Sequence, residues 1–298
     1  MFRLIFLMII CAVLFPASAA NAWDVLIALN SRAKPYAEAV RGFKSVYGAR
    51  VQELVISELS GEDVPTEVRK RRPDLIVAIG MEALLKVRKI REKPIVYLMV
   101  LHPDSVLRGE SNITGVSMII PPEKQLAYFR RSLPRMERIG LIYNPVNSGH
   151  IVARAINAGA RMGTEIKTLK AHKASDFPQL LNGMKGNIDA YWMLPDSTVV
   201  APECIEYLLL FSMENRIPVL TFSDKYLKMG AFLSVEIDPF KIGKQAGEMV
   251  EKILAGIDAS DIRAVDAADA DVTVNYKIGE KMGISRPKQN VNHLKELK

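Results

Sequence analysis

The chain has 298 residues, of which 49% are hydrophobic and 24% are charged, so it has enough apolar material for two globular domains of about 140 residues each. This composition excludes a disordered protein, a collagen-like protein and a disulfide-stapled miniprotein. The formal net charge is +7, but 40 Lys and Arg residues are interspersed with 33 Asp and Glu residues. The densest basic cluster covers only residues 69–72, so we do not expect nucleic-acid binding.

The first 22 residues have the three parts of a secretory signal peptide. Arg3 precedes an apolar run over residues 4–15, and small residues follow it, with cleavage after Ala19 or after Ala22. The run is shorter than the roughly 20 residues that span a bilayer. We therefore expect a cleaved signal peptide over residues 1–22 and a periplasmic location.

Cysteine usage agrees with that compartment. Cys11 lies inside the signal segment and would leave with it, so the mature chain would keep only Cys204. A single cysteine cannot form an internal disulfide. The mature protein would therefore depend on its hydrophobic core for stability in an oxidising compartment.

Nine short runs after the signal segment have the composition of β-strands. Several of them, such as residues 75–79 and 95–100, are apolar throughout, which is typical of parallel strands buried on both faces. The predicted strands are residues 25–29, 51–56, 75–79, 95–100, 138–143, 165–170, 190–194, 218–222 and 231–235.

Amphipathic stretches between these runs predict helices. Asn147 is expected to cap the helix that Gly163 ends, and prolines suit the first turns of two others. Residues 285–298 carry little apolar content, so we expect a frayed tail there. The predicted helix starts are Pro121, Asn147, Pro202 and Phe240.

Strands that alternate with helices are typical of an α/β fold, in which helices cross over between parallel strands. The chain contains two such series, joined near residues 112–116. We therefore predict two doubly wound lobes, each with a parallel sheet flanked by helices. Parallel sheets bind ligands at the carboxyl ends of their strands, so two facing sheet edges would form a cleft.

Polar, aromatic and glycine residues end or follow the predicted strands, and they make up the predicted ligand site. The candidate ligand-binding residues are Asn30, Ser31, Gly80, Met81, Tyr143, Asn144, Asn147, Asp196, Ser197, Thr198, Phe222 and Asp224.

The charges and N–H groups of these residues suggest which part of a ligand each of them would bind. Asp196 is the candidate for holding a ligand's ammonium group, because a carboxylate in a closed cleft needs a partner charge, although it also fits a helix cap. Backbone N–H groups near Ser31, Met81 and Asn147 would hold an anionic end. Gly80 fits either that role or a tight turn between strand and helix.

Three further candidates also have two interpretations each. Tyr143 and Phe222 are expected as walls of the ligand site, but aromatic residues at such positions also pack in cores. Asp224 follows Ser223 at a strand end, where it fits ligand binding or helix capping.

Catalytic and cofactor motifs are absent from the sequence. The four histidines are dispersed and form no known metal-ligand pattern. The sequence contains no G-x-S-x-G motif, P-loop or G-x-G-x-x-G motif, so we expect no cofactor. Cys204 falls in the first turn of a predicted helix, where a thiol pKa can be lowered, but a packing role fits as well. One functional hypothesis is therefore a secreted hydrolase that uses Cys204 or Asp196.

Several short motifs occur in order along the chain. They include Asn-Ile-Thr-Gly-Val-Ser at 112–117, Arg-Ile-Gly-Leu-Ile-Tyr-Asn-Pro at 138–145, Gly-Lys-Gln-Ala-Gly at 243–247 and Ile-Leu-Ala-Gly at 253–256. This order resembles the periplasmic substrate-binding proteins of ABC transporters with the type I fold. It is most similar to the family that includes tryptophan- and tyrosine-type amino-acid binders, and the resemblance covers nearly the whole mature chain.

The resemblance implies two Rossmann-like lobes that are joined by three crossovers and close on a small ligand without chemistry. The helix that starts at Phe240 would return to the first lobe. Many members have Gly followed by Ser or Thr after the third strand, whereas this chain has Gly80-Met81-Glu82. The implied division is residues 23–116 plus 239–263 for the N-terminal lobe and 117–238 plus 264–298 for the C-terminal lobe.

The expected function is capture of a small polar or zwitterionic solute, such as an amino acid, for delivery to an ABC permease in the membrane. The expected protein is a monomer and not an enzyme. An alternative is a periplasmic ligand-sensing module that docks on a membrane receptor or kinase, because it would use the same cleft. The signal segment, and the lack of a DNA-binding helix-turn-helix ahead of Trp23, exclude a cytoplasmic repressor.

Overall fold

The computed structural model describes residues 24–48, 50–59, 61, 63–285 and 294–297, so the predicted signal peptide lies outside the described residues. Within them the chain forms two β-sheets, each with helices packed on it. We call each sheet with its helices a lobe. In the part of the chain that is described, no helix combines the length and hydropathy that crossing a bilayer would need.

The first sheet has five parallel strands in the order β2-β1-β3-β4-β5. Every residue of β1, β3 and β4 is buried, as expected for strands covered by helices on both faces. Its strands are β1 (Val25–Leu29), β2 (Val51–Val55), β3 (Leu75–Ile79), β4 (Ile95–Val100) and β5 (Ile113–Ser117). The helices between them are α1 (Lys34–Val46), α2 (Val64–Arg71) and α3 (Met81–Val87).

The second sheet has seven strands in the order β12-β11-β10-β9-β8-β6-β7. They are β6 (Arg138–Tyr143), β7 (Glu165–Lys170), β8 (Ala190–Trp192), β9 (Val219–Thr221), β10 (Leu233–Ile237), β11 (Ala270–Val274) and β12 (Leu294–Glu296). The helices from here on are α4 (Pro122–Ser132), α5 (Pro145–Met162), α6 (Phe177–Gly183), α7 (Pro202–Asn215), α8 (Asp224–Met229), α9 (Pro239–Leu254) and α10 (Tyr276–Lys281). Short 3-10 turns cover Ile56–Glu58, Pro103–Ser105, Ala174–Asp176 and Ala259–Asp261.

The chain passes between the two sheets three times. The first crossover follows β5, the second follows β10, and the third precedes β11, where Val265 pairs with Val116 at the edge of the first sheet. After the second crossover, α9 packs closely along α1. The contact is tight because a Cβ on Gly243 would lie 2.0 Å from the carbonyl oxygen of Ala39.

The predicted α/β fold with two lobes is confirmed, but several elements differ from the prediction. Of residues 112–116, which were expected as a joint, 113–116 form most of β5. The second sheet is mixed, because β11 runs antiparallel to β10. The tail is not frayed throughout, since β12 pairs with β11 in parallel; residues 286–293 and 298 lie outside the described residues.

Helix and strand ends account for the other differences. Asn144, not Asn147, caps α5, because its side-chain oxygen accepts a hydrogen bond from the N–H of Val146 and Pro145 occupies the first helical position. The strand predicted at 231–235 lies at 233–237. Ala231 follows the end of α8, and its N–H donates a hydrogen bond to the carbonyl of Tyr226 in that helix.

Candidate ligand-binding cleft

The carboxyl ends of the two sheets open onto a cavity of about 850 Å³, which we call the main cavity. The first lobe contributes Met81 and the segment 101–105 after β4, and the second lobe contributes α5 and the loop after β8. Residues of the first and third crossovers complete its wall. Ligand pockets commonly measure about 300–1,000 Å³. The main cavity therefore lies between the lobes and has the size of a small-molecule site.

A second cavity of about 370 Å³ adjoins the main cavity, and we call it the side cavity. Leu101, Ile119 and Pro195 line both cavities, so the two spaces are neighbours along one cleft. The wall of the side cavity comes from Leu101, from the first crossover, from α4 and α5, from the ends of β8 and β9, and from β10.

Four of the predicted ligand residues line these cavities. Met81, Asn147 and Ser197 line the main cavity, and Phe222 lines the side cavity. The other predicted residues lie behind or beside the walls, and a ligand contact for them stays a prediction. They are Asn30, Ser31, Gly80, Tyr143, Asn144, Asp196, Thr198 and Asp224.

Asn30 and Gly80 build the turn that presents Met81. Gly80 has a φ of 94°, and a Cβ there would lie 3.0 Å from the side chain of Asn30. The Asn30 oxygen accepts a hydrogen bond from the N–H of Ala83 at 2.8 Å, so it caps α3 from the neighbouring strand end. Ser31 accepts a long bond of 3.4 Å from the N–H of Ala33. Here the close approach of Asn30 requires the glycine.

Asp196 is completely buried and ties the loop after β8 to the start of α5. Its Oδ1 accepts hydrogen bonds from Asn147 Nδ2 at 2.9 Å and from the N–H of Thr198 at 3.0 Å. Its Oδ2 accepts one from the N–H of Asn144 at 2.8 Å. Asn147 Nδ2 also lies 3.2 Å from Ser197 Oγ. The buried carboxylate therefore fixes Asn147 and Ser197 on the wall of the main cavity.

Asp224 and Tyr143 are held by the second lobe itself. Asp224 accepts hydrogen bonds from the hydroxyl of Ser234 and, at 3.3 Å, from that of Thr273, so it joins α8 to β10 and β11. Tyr143 packs in the hydrophobic core. Phe222, by contrast, borders the side cavity and contacts the ring of Tyr226 at 5.4 Å between centroids.

Two histidines that were not among the predicted residues meet across the cleft. His102 follows β4 in the first lobe, and His150 lies on α5 in the second. Their rings are 5.2 Å apart between centroids, in an edge-to-face arrangement. Burial and the neighbouring His150 lower the pKa of His102, although Asp196 and Asp104 act in the opposite direction. The position of His102 at a strand end could have identified it; His150 could have been found one helical turn after Asn147.

Asp266 links the third crossover to both lobes. Its Oδ1 accepts a hydrogen bond from Ser117 Oγ at 2.8 Å, and Ser117 belongs to β5. Its Oδ2 forms an ion pair with Arg154 Nη2 of α5 at 2.6 Å. Sequence reasoning missed the ion pair between Arg154 and Asp266, because 112 residues separate the two along the chain.

The described residues offer little for metal binding or nucleophilic catalysis. Among them, no group of three or more His, Cys, Asp or Glu side chains is placed to hold a metal ion. Cys204 is buried in the second lobe, and its thiol lies 3.5 Å from the carbonyl of Ala174. Burial, with a contribution from Glu203, raises the pKa of the thiol, which disfavours the nucleophilic thiolate.

A family model for ABC transporter substrate binding proteins matches residues 57–295 of the chain. The chain is also 25% identical over 213 residues to the tyrosine-binding protein of Clostridioides difficile strain R20291. That match covers 68% of this chain and 61% of the relative, so it spans less than two thirds of the relative's length.

Solved structures share the fold. One is the ligand-free, open structure of a substrate binding protein with adhesive properties from Clostridium difficile, at 21% identity, with a TM-score of 0.73 over 93% of this chain and 99% of that one. Another is the ABC domain from Streptococcus pneumonia in complex with L-Trp, at 17% identity, with a TM-score of 0.61 over 93% and 99%. These similarities confirm the predicted type I binding-protein fold. Because the family model matches well over half of the sequence, the chain belongs to the family of ABC transporter substrate binding proteins.

Proposed function

We propose that this chain captures a small polar or zwitterionic solute in the cleft between its lobes and delivers it to an ABC permease. The observation that carries this proposal is the main cavity, whose wall combines residues of both lobes and of two crossovers. A ligand that contacts both lobes stabilises the closed arrangement over the open one. Release would follow when the lobes separate at the permease.

The lobe division that we propose is residues 23–116 plus 239–263 and residues 117–238 plus 264–298. Its boundaries fall near the three crossovers, and the packing of α9 against α1 supports the return of residues 239–263 to the N-terminal lobe. Closure would then be a rotation of these two units about the crossovers.

We propose the predicted ligand residues as two groups. Met81, Asn147 and Ser197 would contact the polar part of the solute in the main cavity, and Phe222 would contact an apolar part in the side cavity. The eight others would act through these residues, as Asp196 does through Asn147. A relative named as a tyrosine-binding protein supports an amino acid as the solute.

Compartment and mode of action complete the proposal. Secretion through the signal peptide would place the mature protein outside the cytoplasm as a monomer, where it meets the permease. Transport rather than sensing is supported by the match to the transporter family. Binding without catalysis is supported by the burial of Cys204 and the structural bonds of Asp196.

Thermal unfolding with pools of amino acids and of nucleosides tests the proposal. A solute present at 100 times its dissociation constant should stabilise the protein by about 2.7 kcal/mol. Native mass spectrometry of the freshly purified protein would show any solute that it carries over. If no pool shifts the unfolding midpoint of protein shown to be ligand-free, the proposed function is wrong.

A cleft variant makes that test specific. Ser197→Phe places a large side chain in the main cavity and should abolish the ligand-induced shift. Ser175→Phe is the matched control, because Ser175 is exposed and lines neither cavity. Loss of the shift in both variants would mean that the effect of Ser197→Phe is not local.

A further inference from the structure

We propose that the side cavity is a subsite for the apolar body of an organic amine and that Glu236 binds its protonated amino group. The inference rests on the proposed function, since it assumes that the cleft holds a solute. It assigns the cationic end of the ligand to a residue near the carboxyl end of β10, and not to Asp196.

The side cavity is almost entirely apolar. Ten of its thirteen lining residues are apolar, and Glu236 is the charged one among them. Gln125 and Ser223 are the two remaining polar residues. The amide nitrogen of Gln125 is used within the protein, because it donates to the carbonyl of Ile120 at 2.8 Å. A ligand group in this space therefore meets hydrocarbon on most sides and the Glu236 carboxylate at one place.

Glu236 receives hydrogen bonds only from neutral groups in the described structure. Ser223 Oγ donates to its Oε1 at 3.0 Å, and the backbone N–H of Asp224 also points at the carboxyl. Among the described residues, no Lys, Arg or His lies within ion-pair distance of Glu236. A half-buried carboxylate without a cation is costly, so the missing partner charge is a reason to look for it on the ligand.

The charges around Glu236 also disfavour its ionised form in the absence of a ligand. Burial is the main cause that raises the pKa of Glu236, and the carboxylates of Asp224 and Asp271 add to it. Asp271 has its own cations, since Lys295 Nζ lies 2.8 Å from its Oδ2. A ligand ammonium in the side cavity would restore the balance of charge at Glu236 and favour its ionised form.

Asp196 is less suited to this role than Glu236. Its two oxygens already accept three hydrogen bonds from the protein, and it lines neither cavity. Glu236 instead borders the space that a ligand can enter. The side cavity, at about 370 Å³, accommodates a compact hydrocarbon body, and its junction with the main cavity at Leu101 lets a polar end extend there.

Isothermal titration calorimetry with matched pairs of probes tests the inference. Each pair consists of an amino acid and the same acid without its amino group: phenylalanine with 3-phenylpropanoate, leucine with 4-methylpentanoate, and norleucine with hexanoate. We expect at least one amino acid to bind about 10-fold or more tightly than its partner, as for a hydrogen bond to a charged group. Glu236→Gln should remove this preference, because the neutral amide keeps the shape but not the charge.

Controls separate the inference from a folding defect. Glu82→Gln changes an exposed carboxylate that lines neither cavity, so it should keep the preference. The unfolding midpoint shows whether Glu236→Gln is folded. If it is not, Glu236→Asp, which withdraws the charge by one methylene, should weaken the amine selectively.

Three results would overturn the inference: a wild-type protein that binds none of the amino acids, one that binds both members of a pair equally, or a Glu236→Gln variant that keeps the preference. If the pool screen then finds a solute without an amino group, the inference has failed and the proposed function stands. If the pool screen finds no solute at all, the proposed function has failed with it.

Discussion

The imidazole of His102 faces a second imidazole across the cleft, and its Nδ1 is buried without a hydrogen-bond partner among the described residues. Both features disfavour a proton on this ring, while the carboxylates of Asp104 and Asp196 favour one. The net effect is a pKa below the ordinary value of 6.5 for histidine. At neutral pH the His102 ring is therefore uncharged where it meets the ring of His150 across the cleft.

This lowered pKa predicts a pH dependence of stability. The unfolded chain takes up a proton on His102 as the pH falls through about 6.5, whereas the folded protein does so only at a lower pH. The free energy of unfolding should therefore decrease between these two pKa values. We expect His102→Gln to lose less stability than the wild type between pH 7 and pH 5 in urea unfolding.

His172→Gln serves as the control for this experiment, since His172 is exposed. It should follow the wild-type pH profile. If His102→Gln follows it as well, protonation of His102 contributes nothing to acid destabilisation.

The contact between α1 and α9 is the clearest case of an element positioned by its glycines. Gly42 and Gly243 let the backbones approach so closely that a Cβ on Gly42 would lie 1.9 Å from the carbonyl oxygen of Phe240. Since α9 follows β10 of the second sheet, this packing also holds the second crossover against the first lobe.

We therefore expect Gly243→Ala to destabilise the protein by about 1–3 kcal/mol, as overpacking of a tight interface does. Gly149→Ala is the matched control, because Gly149 lies in α5 with no atom within 4 Å of the added Cβ. Alanine is the better helix former there, so this control should gain about 0.5–1 kcal/mol. Urea unfolding of both variants measures the difference, and a neutral Gly243→Ala would contradict the close packing.

Elements could be predicted where their own residues determine them, and not where contacts with distant parts of the chain do. β1, β3 and β4 are apolar throughout, so composition alone located them with their correct ends. β5 falls on residues that were predicted to join the two lobes, but a Cβ on Gly115 would lie 2.2 Å from the carbonyl oxygen of Tyr97 in β4. Gly115 is needed because β4 passes so close to it, and the local sequence does not show which strand will be its neighbour.

The site was predictable only where one strand end supplies it. That rule found Met81, Asn147 and Ser197 on the main cavity. It missed Glu236, which lies inside β10 rather than after a strand end and lines the side cavity. It also missed Asp266, whose partners come from β5 and α5. Residues contributed by the crossovers depend on how the lobes meet, and no local pattern encodes this.

At the scale of the whole molecule, Asp266 joins the third crossover to Ser117 at the end of β5 and to Arg154 of α5, and this link restrains rotation of the lobes about the crossovers. Ser117 belongs to the first sheet and Arg154 to α5 of the second lobe. The Arg154 and Asp266 side chains are 40% and 21% exposed, so solvent screens the pair and its contribution is about 0.2–1 kcal/mol. This free energy is small beside the stability of the fold, but it is large enough to shift an equilibrium between open and closed forms.

Asp266→Asn should keep the hydrogen bond from Ser117 and lose the ion pair with Arg154. We expect a larger radius of gyration for the ligand-free protein in small-angle X-ray scattering, and an affinity for the captured solute up to about 5-fold weaker. The control is Asp189→Asn, which breaks the ion pair of 2.7 Å with Arg138 inside the second lobe. That variant should lower stability without changing the radius or the affinity. Equal radii for the wild type and Asp266→Asn would mean that the crossover ion pair does not set the opening of the cleft.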